Sequence, residues 1–377
     1  MKNPKNLFFD LPNGWMFFSL LTCLAFMAFY RFQNKSATTT GKKQYYSVSD
    51  FQRVPKIDGH FHYNTSDVRF LKFADSLNFR ILSPNVDAGI SIDQQLEITS
   101  DIKRRFPGKF AFFGTFTAVN FGRSAFGKET VDRIEQCMKA GASGIKVWKN
   151  VGMSLQDQTG QFVMVDHEKF DTVFNYLEKH RIPLLAHLGE PRNCWLSVDQ
   201  MTTPNDKRYY QNHPQYHMYL HPESPSYEDQ IKARNHLLQK HPALEFIGAH
   251  LASEEWSVEE LSKSFDRNPQ LKADLAARIS HLEYQSAKDG KKVRDFLIKY
   301  QDRIIYATDM SVNENSTNFT SVCESMRRTW LDHWIYLATD SFMTYKDMPG
   351  SKLTGLQLPR EVIDKIFFKN AIKYFKD

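Results

Sequence analysis

The segment Ile57-Asp58-Gly59-His60-Phe61-His62 places two imidazoles two residues apart at the end of a strand-like run. Side chains alternate along a strand, so His60 and His62 point to the same side. Two imidazoles at that spacing can chelate one cation at about 2.0–2.1 Å each. Alone the pair is weak, because most such pairs are ordinary surface or core residues. Polar residues recur, however, at the C-terminal tips of later apolar runs: Pro183-Leu184-Leu185-Ala186-His187, Phe246-Ile247-Gly248-Ala249-His250 and Ile305-Tyr306-Ala307-Thr308-Asp309. A further run, Gly144-Ile145-Lys146-Val147-Trp148-Lys149, carries a lysine inside it. Each of these residues follows apolar strand residues that need no polar neighbour. His62 and Lys146 are 84 residues apart, three units of 28, and His250 and Asp309 are 59 apart, two units of about 30.

Such a spacing requires a repeated unit to position the tips. Eight β-type runs are present: Val54–His62, Phe79–Val86, Lys109–Ala118, Gly144–Lys149, Ile182–Gly189, Leu244–Ala252, Leu271–Ile279 and Ile304–Met310. Amphipathic helical patterns alternate with them, among them Lys128–Ala140, His167–His180, Tyr227–Lys240, Val258–Phe265 and Lys291–Tyr300. Eight βα units predict an α/β fold, a (β/α)8 TIM barrel over residues 51–377, whose catalytic groups collect at the C-terminal ends of the strands. An open doubly wound sheet is the alternative, but no G-x-G-x-x-G turn follows the first strand. The largest excess over a bare barrel is the aromatic and His-rich stretch 190–226 after the fifth strand, a loop of functional length over the mouth. Its His213, His217 and His221 have the spacing of a helix face, which Pro214 and Pro222 interrupt, so they read as lid or loop residues. Arg192 and Arg278 could each clamp a carboxylate. Most arginines near strand ends are ordinary ion-pair partners, and neither is selected.

Basic residues number 49 against 43 acidic ones, and six of them stand in residues 1–43 against Asp10 alone. The body is therefore almost neutral, with no charge bias for gripping nucleic acid. Cys23, Cys137, Cys194 and Cys323 form no C-x-x-C pair, which excludes a zinc ribbon and a dense disulfide framework. Trp15–Tyr30 is 16 residues without charge, between a signal-peptide core and a short membrane span in length. It is read as an uncleaved anchor over 15–32, with a flank at 1–14 and a linker at 33–50. The more positive C-terminal flank favours a cytoplasmic body and signal-anchor export favours the opposite, so the side of the membrane stays open.

From Val54 onward the chain resembles the amidohydrolase superfamily, in its amidohydrolase-2-like branch of metal-dependent hydrolases. The matches are IDGHFH, IPLLAHLGEP, FIGAHLAS and IIYATD at the four strand ends, and the closing KIFFKNAIKYF with Asn370-Ala371. The resemblance implies that His60, His62, His187 and Asp309 ligate a divalent metal, most often zinc, with His250 beside it. Asp309 would then move the proton of an activated water and His250 would polarise the scissile carbonyl, with Asp58 a supporting acceptor behind the histidines. Lys146 stands where binuclear members carry a carbamylated bridging lysine, and is the candidate for a second-metal bridge. In the branch resembled most, however, one metal is common and the fourth strand supplies no ligand, which makes Lys146 a lysine lining the pocket. The expected activity is hydrolysis of an amide, ester or lactone of a small molecule. The alternative is decarboxylation of a carboxylic acid on the same site, and an anchored binding protein is a weaker rival. Substrate and oligomeric state are not legible.

Overall fold

The computed structural model describes residues 44–314, 318–344 and 352–375. The expected anchor over 15–32 lies outside them. Among the described residues no helix is long and apolar enough to cross a membrane.

One parallel sheet runs in sequence order through β1 (Lys56–Asp58), β2 (Phe79–Pro84), β3 (Phe110–Thr115), β4 (Ile145–Val147), β5 (Leu184–Ala186), β6 (Phe246–Gly248), β7 (Leu271–Asp274) and β8 (Ile304–Ile305). These segments are strands because a parallel sheet covered on both faces selects continuous apolar runs. All six residues of β3, Phe-Ala-Phe-Phe-Gly-Thr, are buried. A helix follows each strand: α1 (Arg69–Ser76), α2 (Ile92–Arg105), α3 (Phe126–Lys139), α4 (Asp171–His180), α5 (Tyr227–Lys240), α6 (Val258–Arg267), α7 (Ile279–Lys299) and α8 (Phe319–Ala338). The tips of the first and last strands meet. Gly59 N–H donates to the Tyr306 carbonyl at 2.9 Å, Asp309 N–H to the His60 carbonyl at 2.8 Å and His62 N–H to the Met310 carbonyl at 2.8 Å. Beyond them His62–Asn64 and Ser311–Asn313 pair in parallel. A Cβ on Gly59 would stand 2.6 Å from Ile305 Cγ2, so only glycine lets β1 and β8 come this close. The arrangement is that of a TIM barrel.

Two layers of core follow from strand alternation. Ile57, Leu82, Phe113, Leu185, Ile247 and Ile305, from six strands, pack on one another and on Tyr374 and Phe375, which fill the barrel interior from the chain's end. The opposite faces of the strands meet the helices. Asn370 Nδ2 ties the closing segment to the sheet, donating to the carbonyls of Gln301 and Ile304 at 2.7 Å each. Trp330 of α8 is fully buried, stacks on Phe79 with centroids 4.0 Å apart and donates to Asp58 Oδ2 at 3.0 Å. Trp330→Ala is expected to cost about 3–5 kcal/mol of unfolding free energy, read from denaturant midpoints.

The stretch 190–226 is not the unstructured loop its composition suggests. It holds the helix Pro204–Asn212, three 3-10 turns and a small core of Cys194, Met201 and Tyr210. Its histidines are internal fasteners. His213 Nδ1 bonds the Tyr209 carbonyl at 2.8 Å, His217 Nε2 that of Leu196 at 2.8 Å and His221 Nε2 that of Pro214 at 3.1 Å.

Candidate metal centre

The barrel brings His60, His62 and Asp309 together, with one ligand atom of each within 4.8 Å of the others. Asp309 Oδ1 lies 3.3 Å from Nε2 of His60 and 3.3 Å from Nε2 of His62. Both rings are oriented from behind. His60 Nδ1 meets Asp274 Oδ2 at 2.8 Å, and His62 Nδ1 meets the Pro84 carbonyl at 3.1 Å. Both partners accept, so in each neutral ring Nδ1 carries the proton and Nε2 presents its lone pair to the centre.

Asp274, at the tip of β7, is the residue the sequence reading missed. Besides His60 it accepts the backbone N–H of His250 at 2.7 Å and that of Ala276 at 3.1 Å through Oδ1. The signal was present, since Leu271-Lys272-Ala273-Asp274 is a seventh run ending in a polar residue.

Asp58, expected as a supporting acceptor, meets His60 through the His60 backbone N–H and not through a ring. Its carboxylate accepts from Thr308 N–H at 3.0 Å, Thr308 Oγ1 at 2.7 Å, Trp330 Nε1 at 3.0 Å and the His60 backbone N–H at 3.4 Å, and touches neither imidazole. The expectation assumed unbroken alternation from Asp58 to His62. Strand β1 ends at Asp58 and the chain bends at Gly59 and His60, so Asp58 faces α8 while His60 faces the mouth. Burial pushes the Asp58 carboxyl up to about 6 against the four bonds that favour its charge.

His187 stands one ring away from the triad. Its Nδ1 lies 3.2 Å from His250 Nε2, with ring centroids 4.1 Å apart, while the His250 ring is 5.2 Å from that of His60. His250 sits in the left-handed region, φ 60° and ψ 47°, which turns its ring into the mouth out of strand alternation. Its Nδ1 donates to the Ala276 carbonyl at 2.9 Å, so Nε2 of the neutral ring is an acceptor. That tautomer cannot donate to a developing oxyanion, which is the physical reason against the expected carbonyl-polarising role.

The buried Lys146 reaches His60 with Nζ 3.4 Å from Nε2. Burial brings its pKa down to about 8 and that of His187 down to about 4. Burial and the neighbouring His187 hold His250 well below the usual imidazole range. Burial opposes the charge of Asp309, but His250, His62 and His60 together outweigh it and keep the carboxyl well below its ordinary value. Glu190 pairs with Lys149, and its Oε2 is 3.8 Å from His187 Nε2, which has no hydrogen-bond partner among the described residues.

A family model described as Amidohydrolase matches residues 106–376; His60 and His62 precede that range. An amidohydrolase II structure is 12% identical with a TM-score of 0.50, covering 85% of this chain and 100% of that one. An uncharacterized TIM-barrel protein from Bordetella bronchiseptica is 13% identical with a TM-score of 0.49, covering 85% of this chain and 98% of the other. The 4-oxalomesaconate hydratase of Rhodopseudomonas palustris is 11% identical with a TM-score of 0.44, covering 81% and 80%. At such identities the likeness is one of fold. No curated protein matches the sequence.

Proposed function

The chain belongs to the amidohydrolase family, and from that premise we propose that His60, His62 and Asp309 hold a divalent metal, most naturally zinc, and that the site hydrolyses a C–N or C–O bond of a small molecule. The observation that carries this reading is the pair of 3.3 Å separations from Asp309 Oδ1 to the two Nε2 atoms. A tetrahedron with metal–ligand bonds of about 2.1 Å has edges of about 3.4 Å. Both Nδ1 atoms are committed to acceptors, so the lone pairs already face inward. When bound, such an ion polarises a carbonyl and lowers the pKa of water from 15.7 to roughly 7.

The remaining work falls to the chain's own groups. Asp309 is the base that takes a proton from the attacking water and delivers it to the leaving nitrogen or oxygen. Its depressed pKa keeps it ionised and ready at neutral pH. Asp274 holds the His60 ring and the His250 backbone at once, so the two sides of the mouth keep their spacing.

A second reading, with two ions, is favoured by the facing nitrogens of His187 and His250. If His187 Nδ1 donates to His250 Nε2, the lone pair of His187 Nε2 is left facing the Glu190 carboxylate. If the proton sits on Nε2 instead, two lone pairs face each other at 3.2 Å. On this reading His187 and His250 would hold the second cation, and Lys146, with Nζ 3.4 Å from His60 Nε2, would be the residue to carry the carbamylated bridge.

Elemental analysis of the body lacking residues 1–43, purified with zinc supplied, tests both. One equivalent per chain is expected from the first reading and two from the second. No retained metal would sink both. Turnover of a panel of amides, lactones and carboxylic acids then separates hydrolysis from decarboxylation, since only the latter releases CO₂ without consuming water.

A further inference from the structure

The loop after β7 carries a guanidinium that the reading above leaves unused. Ala276, whose carbonyl fixes the His250 ring, is followed by Ala277 at φ 54° and then by Arg278. Arg278 is only 7% exposed. Among the described residues its guanidinium makes one hydrogen bond, Nη1 to the Ala277 carbonyl at 3.1 Å, and Nε has no partner. No carboxylate oxygen of the described residues lies within 4.0 Å of it. A buried arginine is ordinarily paired, because an unpaired charge out of water is costly.

Two of the acids around it, Asp206 and Glu190, are committed elsewhere, and the third, Glu255, keeps Oε2 without a partner yet more than 4.0 Å from the guanidinium. Asp206 accepts from Asn193 Nδ2 at 2.8 Å and faces His281 Nε2 at 3.2 Å. Glu190 pairs with Lys149. Glu255 accepts the Arg192 backbone N–H at 2.9 Å, and burial pushes its carboxyl up to about 7. Arg192, the other arginine at the mouth, lies over the Trp256 ring at 4.2 Å. The Arg278 charge is felt by His250, whose ring adjoins His60. A desolvated fork with open donors therefore stands at the rim of the metal centre, under the stretch 190–226.

We infer that Arg278 anchors a carboxylate of the substrate away from the bond that is cleaved, so that the substrate class is a small-molecule carboxylate. The planar fork matches a carboxylate through paired N–H donors. The inference rests on the metal-hydrolase reading for the reacting end of the molecule only.

Calorimetric titration of the zinc-supplied protein with acetate, malonate, succinate and glutarate tests it. Acetate can engage only one anchor at a time, and the dicarboxylates extend a second carboxylate progressively farther. At least one dicarboxylate is expected to bind about tenfold to a hundredfold tighter than acetate. Arg278→Met is expected to erase that margin without changing zinc content, and Arg278→Lys to keep part of it. Equal binding of all four by the unaltered protein overturns the inference, as does a margin that survives in Arg278→Met. Should Arg278→Met fail to fold, the unaltered protein and Arg278→Lys decide: full retention of the margin by lysine overturns the fork. Zinc content of the same samples keeps the failures apart. A chain that takes up no zinc defeats the metal reading, and the arginine is then judged by acetate itself, whose binding to the zinc-free protein should be lost in Arg278→Met.

Discussion

Asp309→Asn is expected to lower kcat/KM by roughly 10³–10⁴-fold, nearly all of it in kcat. The amide keeps the shape of the side chain and an oxygen that can still face the two Nε2 atoms 3.3 Å away. What it loses is the negative charge that three histidines surround, and with it the ability to take a proton. Zinc affinity should fall too, so the assay is run at saturating zinc with metal content measured on the same sample. Metal restored with activity still absent separates the proton-transfer role from simple ligation. If activity returned in full with the metal, Asp309 would be a ligand and nothing more, and another base would have to be found.

Much of this arrangement was written into local sequence, for a physical reason. A strand buried on both faces must be an uninterrupted apolar run, so each of the eight runs read from the sequence contains an observed strand. Polar residues at the tips stand out against such runs, which is how His60, His62, His187, His250 and Asp309 were found. Helix α5 was legible to the residue because Ser226 and Asp229 form a capping box at its start. Helix α7 was not. It begins at Ile279, twelve residues before the expected Lys291, and a break at Asp289 disguises its period. Side-chain direction was the weaker inference throughout. Alternation fails where the backbone bends, as at Gly59, or enters the left-handed region, as at His250 and Asp309 with φ of 60° and 63°. Such angles are stabilised by tertiary contacts, here Asp274 on the His250 N–H and His60 on that of Asp309, and no local pattern reports them. Partnership is equally non-local. Asp274 looks like any strand-end acid until its carboxylate is seen between His60 and His250, and Arg278 looks like any surface arginine until it is found buried with Nε unpaired.

The second large effect is loss of the metal itself. His60→Ala is expected to bring retained zinc below about a tenth of an equivalent, and hydrolysis to background, because a three-ligand site cannot lose one arm and hold the ion. His60 is also the ligand with the best-defined support. Its Nδ1 is held at 2.8 Å by a fully buried carboxylate that makes two further bonds to the loops beyond β6 and β7. The substitution therefore strands Asp274 Oδ2 without a donor, and about 1–3 kcal/mol of stability should go with it. Asp274→Asn probes the support alone. It leaves His60 in place, removes the charge behind its ring and is expected to weaken zinc binding about 10–100-fold without abolishing it. Competition titration against a chelator of known affinity, with melting temperatures alongside, orders the three proteins. The expected order of zinc affinity is unaltered chain, Asp274→Asn, then His60→Ala. Zinc retained at a full equivalent by a folded His60→Ala would move the ion away from the triad, towards His187 and His250, whose ring nitrogens face each other at 3.2 Å.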